Sequence, residues 1–294
     1  MKLFSNKKMF DKNFVLNTEF FYKRCICFSY DNIYSDGYVC QGFTITVDYC
    51  IISAYSKNGF NSRLYLYERN GKFKRFIVLD NHAHVGGIAY DHVNNIIYVT
   101  GSFGRVYAYD YTELISGNIL KYSCDLDISK VLDGAVSAAT IYFYNNSLYV
   151  STCSDIGRVV RYDIEVNRNK KLIKICNYVC INNLPSCIQG VCVFEQNDKL
   201  YYIFSQSYSK LKSVMKLYDF EFKFLGQKVL DAVGLEGIDI DANGNIFGVF
   251  ENGISNLKKV HVSELICSIK KTLEIRYIEK GKFHQSKLNS YRKL

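Results

Sequence analysis

Three features of the 294-residue sequence predict an all-β chain, folded as a β-propeller of four-stranded antiparallel blades. A glycine-led apolar phrase recurs about five times, each copy alternates side-chain character with a period of two, and the joints inside each copy carry Asn, Asp or Gly. A period of two places successive side chains on opposite faces of a strand. Asn, Asp and Gly accept the positive φ that tight hairpins demand. A four-strand unit repeated near every fifty residues is the sequence sign of a propeller blade.

The copies run in order. The first is QGFTITVDYCIISAYS (41–56), followed by SRLYLYERNGK (62–72) and FKRFIVLD (73–80). The second is HVGGIAYDHVNNIIYVTGSFGRVYAYD (84–110), with ILKYSCDLDI (119–128) as its fourth strand. The third is AATIYFYNNSLYVSTCSDIGRVVRYD (138–163) with KLIKICNYVCI (171–181), and Ala139 takes the glycine place. The fourth is QGVCVFEQNDKLYYIFSQSYS (189–209), with SVMKLYD (213–219) and FKFLGQKVL (222–230). The fifth is EGIDIDANGNIFGVFENG (236–253), after which SNLKKVHVSELI (255–266) echoes GRVYAYDYTELI (104–115). The anchors Gly42, Gly87, Ala139, Gly190 and Gly237 are 45, 52, 51 and 47 residues apart. The pairs Asn94-Asn95, Asn145-Asn146, Asn197-Asp198 and Asn243-Gly244 mark first-to-second-strand turns.

The fifth copy has no obvious fourth strand after its third. Either TLEIRYI (272–278) or the N-terminal run EFFYKRCICFSY (19–30) is expected to close the ring, because an open edge invites aggregation. Five blades is the expected number, and strands in both segments would make a sixth. Helix is expected only in short pieces, near 1–14 and 261–271. A β-sandwich would lack the fifty-residue step, and helical repeats would space apolar residues three and four apart.

The organisation expected is a basic segment over 1–18, the propeller over 19–280 and a basic tail over 281–294. Of the net +9, residues 1–25 carry +4 and residues 270–294 carry +6, so the body between is close to −1. Charge gathered at the ends does not make a basic groove, and no sequence-specific nucleic-acid binding is expected. With 48% hydrophobic residues the chain can bury a core without staples. No apolar run approaches 18 residues and no signal-peptide core is evident, so no membrane span and a cytoplasmic location are expected. The eleven cysteines, among them Cys25, Cys27, Cys40, Cys50 and Cys192 in strand-like runs, read as buried reduced thiols. Cys176, Cys180, Cys187 and Cys192 lack the C-x2-C pair of a zinc site.

Blades that open on a Gly-apolar strand and pass through a Tyr-Val strand into a VYxYD strand resemble those of NHL-like, YncE-like and gluconolactonase-like propellers, over residues 41 to 266. The resemblance is one of blade grammar and does not carry an activity over. The gluconolactonase-like group implies a divalent ion in the central channel.

In a propeller the first strand of each blade lines the channel, so Gln41, Gly86, Ala138, Gln189 and Glu236, just before the anchors, should gather at one mouth with His84 and Ser137 close by. Ser53, Thr100, Ser151, Ser205 and Glu251 end the second strands. Glu236 is the foremost candidate: a carboxylate opening an inner strand must hold a cation, a ligand or a basic partner. His84 titrates near neutrality and is the other candidate acid–base group. Glu236, Gln41 and Gln189 would be hard oxygen donors for a divalent cation, Ca²⁺ first. Gln41, His84, Gln189, Glu236, Arg105 and Tyr208 form the candidate ligand-binding set, the last two from the loop face. No G-x-S-x-G elbow, H-E-x-x-H or P-loop occurs. A monomeric binding or scaffold protein is the expectation, taking a protein, small-molecule or glycan ligand. A metal-dependent lactonase- or esterase-like hydrolase is the alternative.

Overall fold

The computed structural model describes residues 26–124, 126, 139–208, 210–251 and 256–269. Its strands form five four-stranded antiparallel blades, each running outward from a first, innermost strand. Blade 1 is β2 (Tyr38–Ile45), β3 (Tyr49–Ser56), β4 (Arg63–Glu68) and β5 (Phe73–Val78). Blade 2 is β6 (Ile88–Asp91), β7 (Ile96–Thr100), β8 (Val106–Asp110) and β9 (Lys121–Cys124). Blade 3 is β10 (Thr140–Tyr144), β11 (Ser147–Ser151), β12 (Gly157–Asn167) and β13 (Leu172–Leu184). Blade 4 is β14 (Ile188–Gln196), β15 (Lys199–Gln206), β16 (Lys212–Asp219) and β17 (Phe224–Val233). In blade 5, β18 (Leu235–Ile240), β19 (Asn245–Phe250) and β20 (Asn256–His261) are completed by the N-terminal β1 (Ile26–Ser29), which pairs antiparallel with β20.

The first-to-second-strand turns obey the residues written into them. Asn145 and Asn146 have φ of 47° and 57°, and Asn197 and Asp198 have 52° and 56°. Two successive positive φ values twist a two-residue hairpin in the same sense as its strands. The echo between GRVYAYDYTELI and SNLKKVHVSELI is also structural, since both end in a helix. The Asp110 carboxylate accepts from the Glu113 amide at the head of α2 (Tyr111–Ser116). His261 Nδ1 accepts from the Ser263 amide at the head of α3 (262–269). The expected helix near 1–14, the run 272–278, Ala138, Ser137 and the segments 1–18 and 281–294 lie outside the described residues.

The apolar residues fill the seams between blades. One cluster packs Ile96 and Tyr98 of blade 2 on Ile141 and Phe143 of blade 3. A second packs Met215 and Leu217 of blade 4 on Ile238 and Ile246 of blade 5. The remaining three fill the seams of blades 5 and 1, 1 and 2, and 3 and 4. Alternate positions of the inner strands therefore face the neighbouring blade on either side and are buried on both faces, whereas the outermost strands β5 and β13 are largely exposed.

The anchor glycines set the spacing of this ring. A Cβ on Gly42 would lie 3.1 Å from the Ile88 amide of blade 2, and one on Gly87 would lie 2.5 Å from the Ile141 amide of blade 3. The same relation carries Gly190 to Ile238 at 3.0 Å and Gly237 to Phe43 at 2.6 Å, closing the circle back to blade 1. At these four positions the inner strands crowd backbone against backbone, an approach that the missing Cβ permits, while blade 3 carries Ala139 in the same place.

The closure is locked by α1 (Asp31–Ser35), which follows β1 directly. The Tyr34 hydroxyl donates to the Phe250 and Glu251 carbonyls at 2.9 and 2.8 Å, and the Phe250 amide donates to the Tyr30 hydroxyl at 2.9 Å. The Cys40 thiol donates to the Phe250 carbonyl as well. Tyr30 and Cys40 are fully buried, so these bonds form in a medium where an unmade one costs about 1–3 kcal/mol. Blades 2 and 3 share a further connection: β9 and β13 pair in parallel through Ser123 and Cys124, joining eight strands into one sheet.

Candidate functional site

The starts of three inner strands, β2, β14 and β18, are bent by a bulge. The register shifts between Cys40 and Gly42, between Ile188 and Gly190, and between Leu235 and Ile238. Gln41, Gln189 and Glu236 therefore occupy bulge positions, where an extra residue re-aims its side chain.

Glu236 is 7% exposed and interacts with Glu251 at the end of the neighbouring strand β19. Burial first, then the charge and hydrogen bond of Glu251, push its carboxyl up to about 8. Glu236 is the partner that holds the shared proton, and burial raises Glu251 as well, against the lowering influence of Lys57 and of the hydrogen bond from Glu236. Where a cation, a ligand or a basic partner was expected beside Glu236, the described residues place a second carboxyl group. Two carboxyl groups sharing one proton can pass it on, or part around a cation.

The mouth gathers groups from several blades. Tyr55 of blade 1 feels the charges of Glu251 and Glu236 and meets the His84 ring edge-on at 4.4 Å. Desolvation lowers the His84 pKa, so its neutral form prevails there. The Gln189 amide lies 3.9 Å from Cys153 Sγ, which itself feels Glu236. Cys153 donates to Cys187, favouring the thiolate at Cys187. Gln41 donates its amide N–H to the Cys40 carbonyl beside it at 2.9 Å, which leaves its amide oxygen as the end available for a ligand. Arg105 is exposed and Tyr208 half-buried on the loop face. Among the described residues no group of three or more His, Cys, Asp and Glu side chains is placed to hold a metal. Cys176 and Cys180 are exposed while Cys187 and Cys192 are buried.

The opposite end of the channel opens into a cavity of about 560 Å³, lined by the downstream ends of all five inner strands. Tyr90, Tyr142, Tyr144 and Phe194 supply its aromatic walls. The Tyr142 hydroxyl donates to the Val193 carbonyl across the blade 3–4 seam, and the Tyr144 hydroxyl hydrogen-bonds Glu195. Asp239 of β18 faces this end. Its carboxylate accepts from Thr44 Oγ1 at 2.9 Å, the Ile45 amide at 2.8 Å and its own neighbour Ile240 at 2.7 Å. Burial still pushes Asp239 up to about 6 against these donors. Asp241 accepts from the Asn243 and Asn245 amides and is the hairpin turn that the Asp-Ala-Asn-Gly run predicts.

Sequence reasoning missed this second mouth and the partner of Glu236. In blades 1 and 4 a serine stands opposite the anchor glycine, Ser53 against Gly42 and Ser205 against Gly190, and Ser53 Oγ accepts from the Gly42 amide. In blade 5 the register sets Gly248 against Ile238 and Phe250 against Leu235, so Glu251 lies beyond that place and alignment with the other blades does not reveal it as the partner of Glu236.

No protein-family model and no curated protein matches the chain. Among solved structures it is similar to an auxiliary nutrient binding protein from Bacteroides thetaiotaomicron, at 15% identity and a TM-score of 0.48 over 75% of this chain. It spans 58% of that protein's length. It is also similar to the WD40 β-propeller domain of Doa1, at 10% identity and a TM-score of 0.41, covering 76% of this chain and 92% of that one. These are likenesses of fold, and the finer resemblance to NHL-like, YncE-like or gluconolactonase-like groups gains nothing from them. The propeller itself follows from the strand pairing and from the closure of Gly237 onto blade 1.

Proposed function

We propose that this propeller is a binding protein that takes its ligand into the central channel. The observation that carries the reading is the cavity of about 560 Å³ framed by all five inner strands, since ligand pockets are commonly 300–1,000 Å³, apolar-walled and set with a few polar groups. No catalytic motif competes for that space. The test is a thermal-shift screen of small molecules against the chain and against Ala242→Trp, a change at an exposed turn residue on the cavity rim. A ligand that binds only the folded state raises Tm by mass action. Shifts present in the parent and lost in Ala242→Trp are expected. Shifts that persist there but vanish in Arg105→Ala or Tyr208→Ala would move the binding site to the loop face.

A second reading is favoured by the Glu236–Glu251 pair: a metal-dependent hydrolase at the other mouth. Glu236, Glu251 and the amide oxygens of Gln41 and Gln189 are the hard donors that Ca²⁺ would meet there, and the cation would displace the shared proton. After chelation, titration with Ca²⁺, Mg²⁺, Mn²⁺ and Zn²⁺ should raise Tm in the parent and not in Glu236→Gln. No shift with any of the four removes this reading.

A further inference from the structure

We propose that the cavity at the strand-end mouth selects an organic cation, an ammonium group carried on an apolar body. The inference rests on the channel-binding reading above and names the ligand class for the same site.

Three observations converge on it. The first is charge. Asp239, Asp241 and Glu195 line the cavity, and Arg69 is the one Lys or Arg among its lining residues. Arg69 stands exposed at the rim with Nη1 donating to the Thr46 carbonyl at 2.9 Å. Three carboxyl groups against one tethered guanidinium leave the cavity with an excess of negative charge.

The second observation is the state of Asp239. It is 7% exposed and forms no ion pair with any described residue. Its three hydrogen-bond donors are neutral, and the Arg69 guanidinium at the exposed rim favours its charge without forming an ion pair with it. A buried carboxylate with no ion-paired counter-ion is unfavourable, and a cation entering the cavity would relieve it.

The third observation is the wall. Tyr90, Tyr142 and Tyr144 come from two blades with rings that are only half-buried, and Phe143 and Phe194 back them. An aromatic face attracts a cation through its quadrupole. Glu195, hydrogen-bonded to Tyr144, puts a carboxylate beside one of those rings. An anion would meet the carboxylates unshielded, and a neutral sugar would donate hydroxyls to them but leave their charge uncompensated. The chemistry that satisfies rings and carboxylates together is an ammonium ion on a hydrocarbon body.

The test uses three probes of one shape and three charges, phenethylammonium, 2-phenylethanol and phenylacetate, titrated calorimetrically into the full chain at pH 7.5. Phenethylammonium is expected to bind at least tenfold more tightly than 2-phenylethanol, with no detectable heat from phenylacetate. Glu195→Gln, at an exposed position that spares the fold, should weaken the cation about tenfold and leave the alcohol unchanged. Tyr144→Ala should weaken both. Equal binding of cation and alcohol, or cation binding indifferent to Glu195→Gln, overturns the cation class while leaving a ligand-binding cavity in place. Binding of none of the three, with methyl glucoside also silent, overturns the channel-binding reading as well.

Discussion

The two ends of the channel are built from the same five strands and hold opposite chemistry. At the strand-start end, bulges throw Gln41, Gln189 and Glu236 out of register, and a carboxyl pair shares a proton beside two thiols. At the strand-finish end there is no bulge. The strands run into tight turns, their aromatic residues line open space, and Asp239 stays charged on three donors until the pH falls to about 6. The difference teaches how burial and hydrogen bonding divide the work. Two carboxyl groups of similar exposure are held at about 8 and about 6 because one faces another carboxylate and the other faces amides and a hydroxyl.

The harshest way to break the comparison is to remove the frame both ends share. Gly237→Val places a Cβ 2.6 Å from the Phe43 amide, with backbone rather than a flexible side chain in the way. The expected loss is about 3 kcal/mol or more, seen as a melting temperature lower by roughly 10 °C or as failure to fold. An unchanged melt would mean that blades 5 and 1 do not approach as described.

The next largest effect separates the ends by pH. Glu236 binds its proton in the folded state up to about 8 but only to its ordinary value of about 4.5 when unfolded. Between those values the folded state holds the extra proton, so stability is greatest below 4.5 and falls as pH rises through 8. Glu236→Gln should flatten that slope, gaining on the parent by a few kcal/mol near pH 9 and nothing near pH 4. Parallel denaturation curves for the two proteins across that range would rule out the shared proton.

At the opposite end, Thr44→Val removes one donor from Asp239 and should cost about 1–3 kcal/mol at pH 8, where the carboxylate is charged. The cost should shrink below pH 6 as Asp239 takes up a proton. Denaturant midpoints at the two pH values measure it, and a penalty independent of pH would mean that Asp239 is neutral throughout. The smallest effect sharpens the comparison from outside: Arg105→Ala, on the exposed loop face, should change stability by less than about 0.5 kcal/mol at either pH.

Much of this fold is legible in the residues. The anchors from Gly42 to Gly237 mark five inner strands, the Asn and Asp pairs mark their hairpins, and the repeated helix after the third strand is visible in YTELI and VSELI. The ring closure is not, because both EFFYKRCICFSY and TLEIRYI read as strands, and only the pairing of Ile26 with Lys258 decides for the first. The site is half legible. Glu236 stands out as a carboxylate on an inner strand, yet its partner Glu251 hides behind a bulge that shifts the pairing. The cavity at the other end is silent in the sequence. Alternation says that Tyr142 and Tyr144 share a face, but not that the ring widens where they lie.

The pairing of β1 with β20 also bears on how the chain is made. Ile26 finds its partner 232 residues later, at Lys258. At synthesis rates of about 5–20 residues per second, the first strand leaves the ribosome roughly ten to fifty seconds before the strand it must join. For that interval Ile26–Ser29 has no native neighbour to hydrogen-bond, and blade 1 has no blade 5 to cover Phe43. Blade 5 thus cannot be completed until its third strand is made: a chain truncated anywhere before β20 leaves β1 without its partner and the ring open.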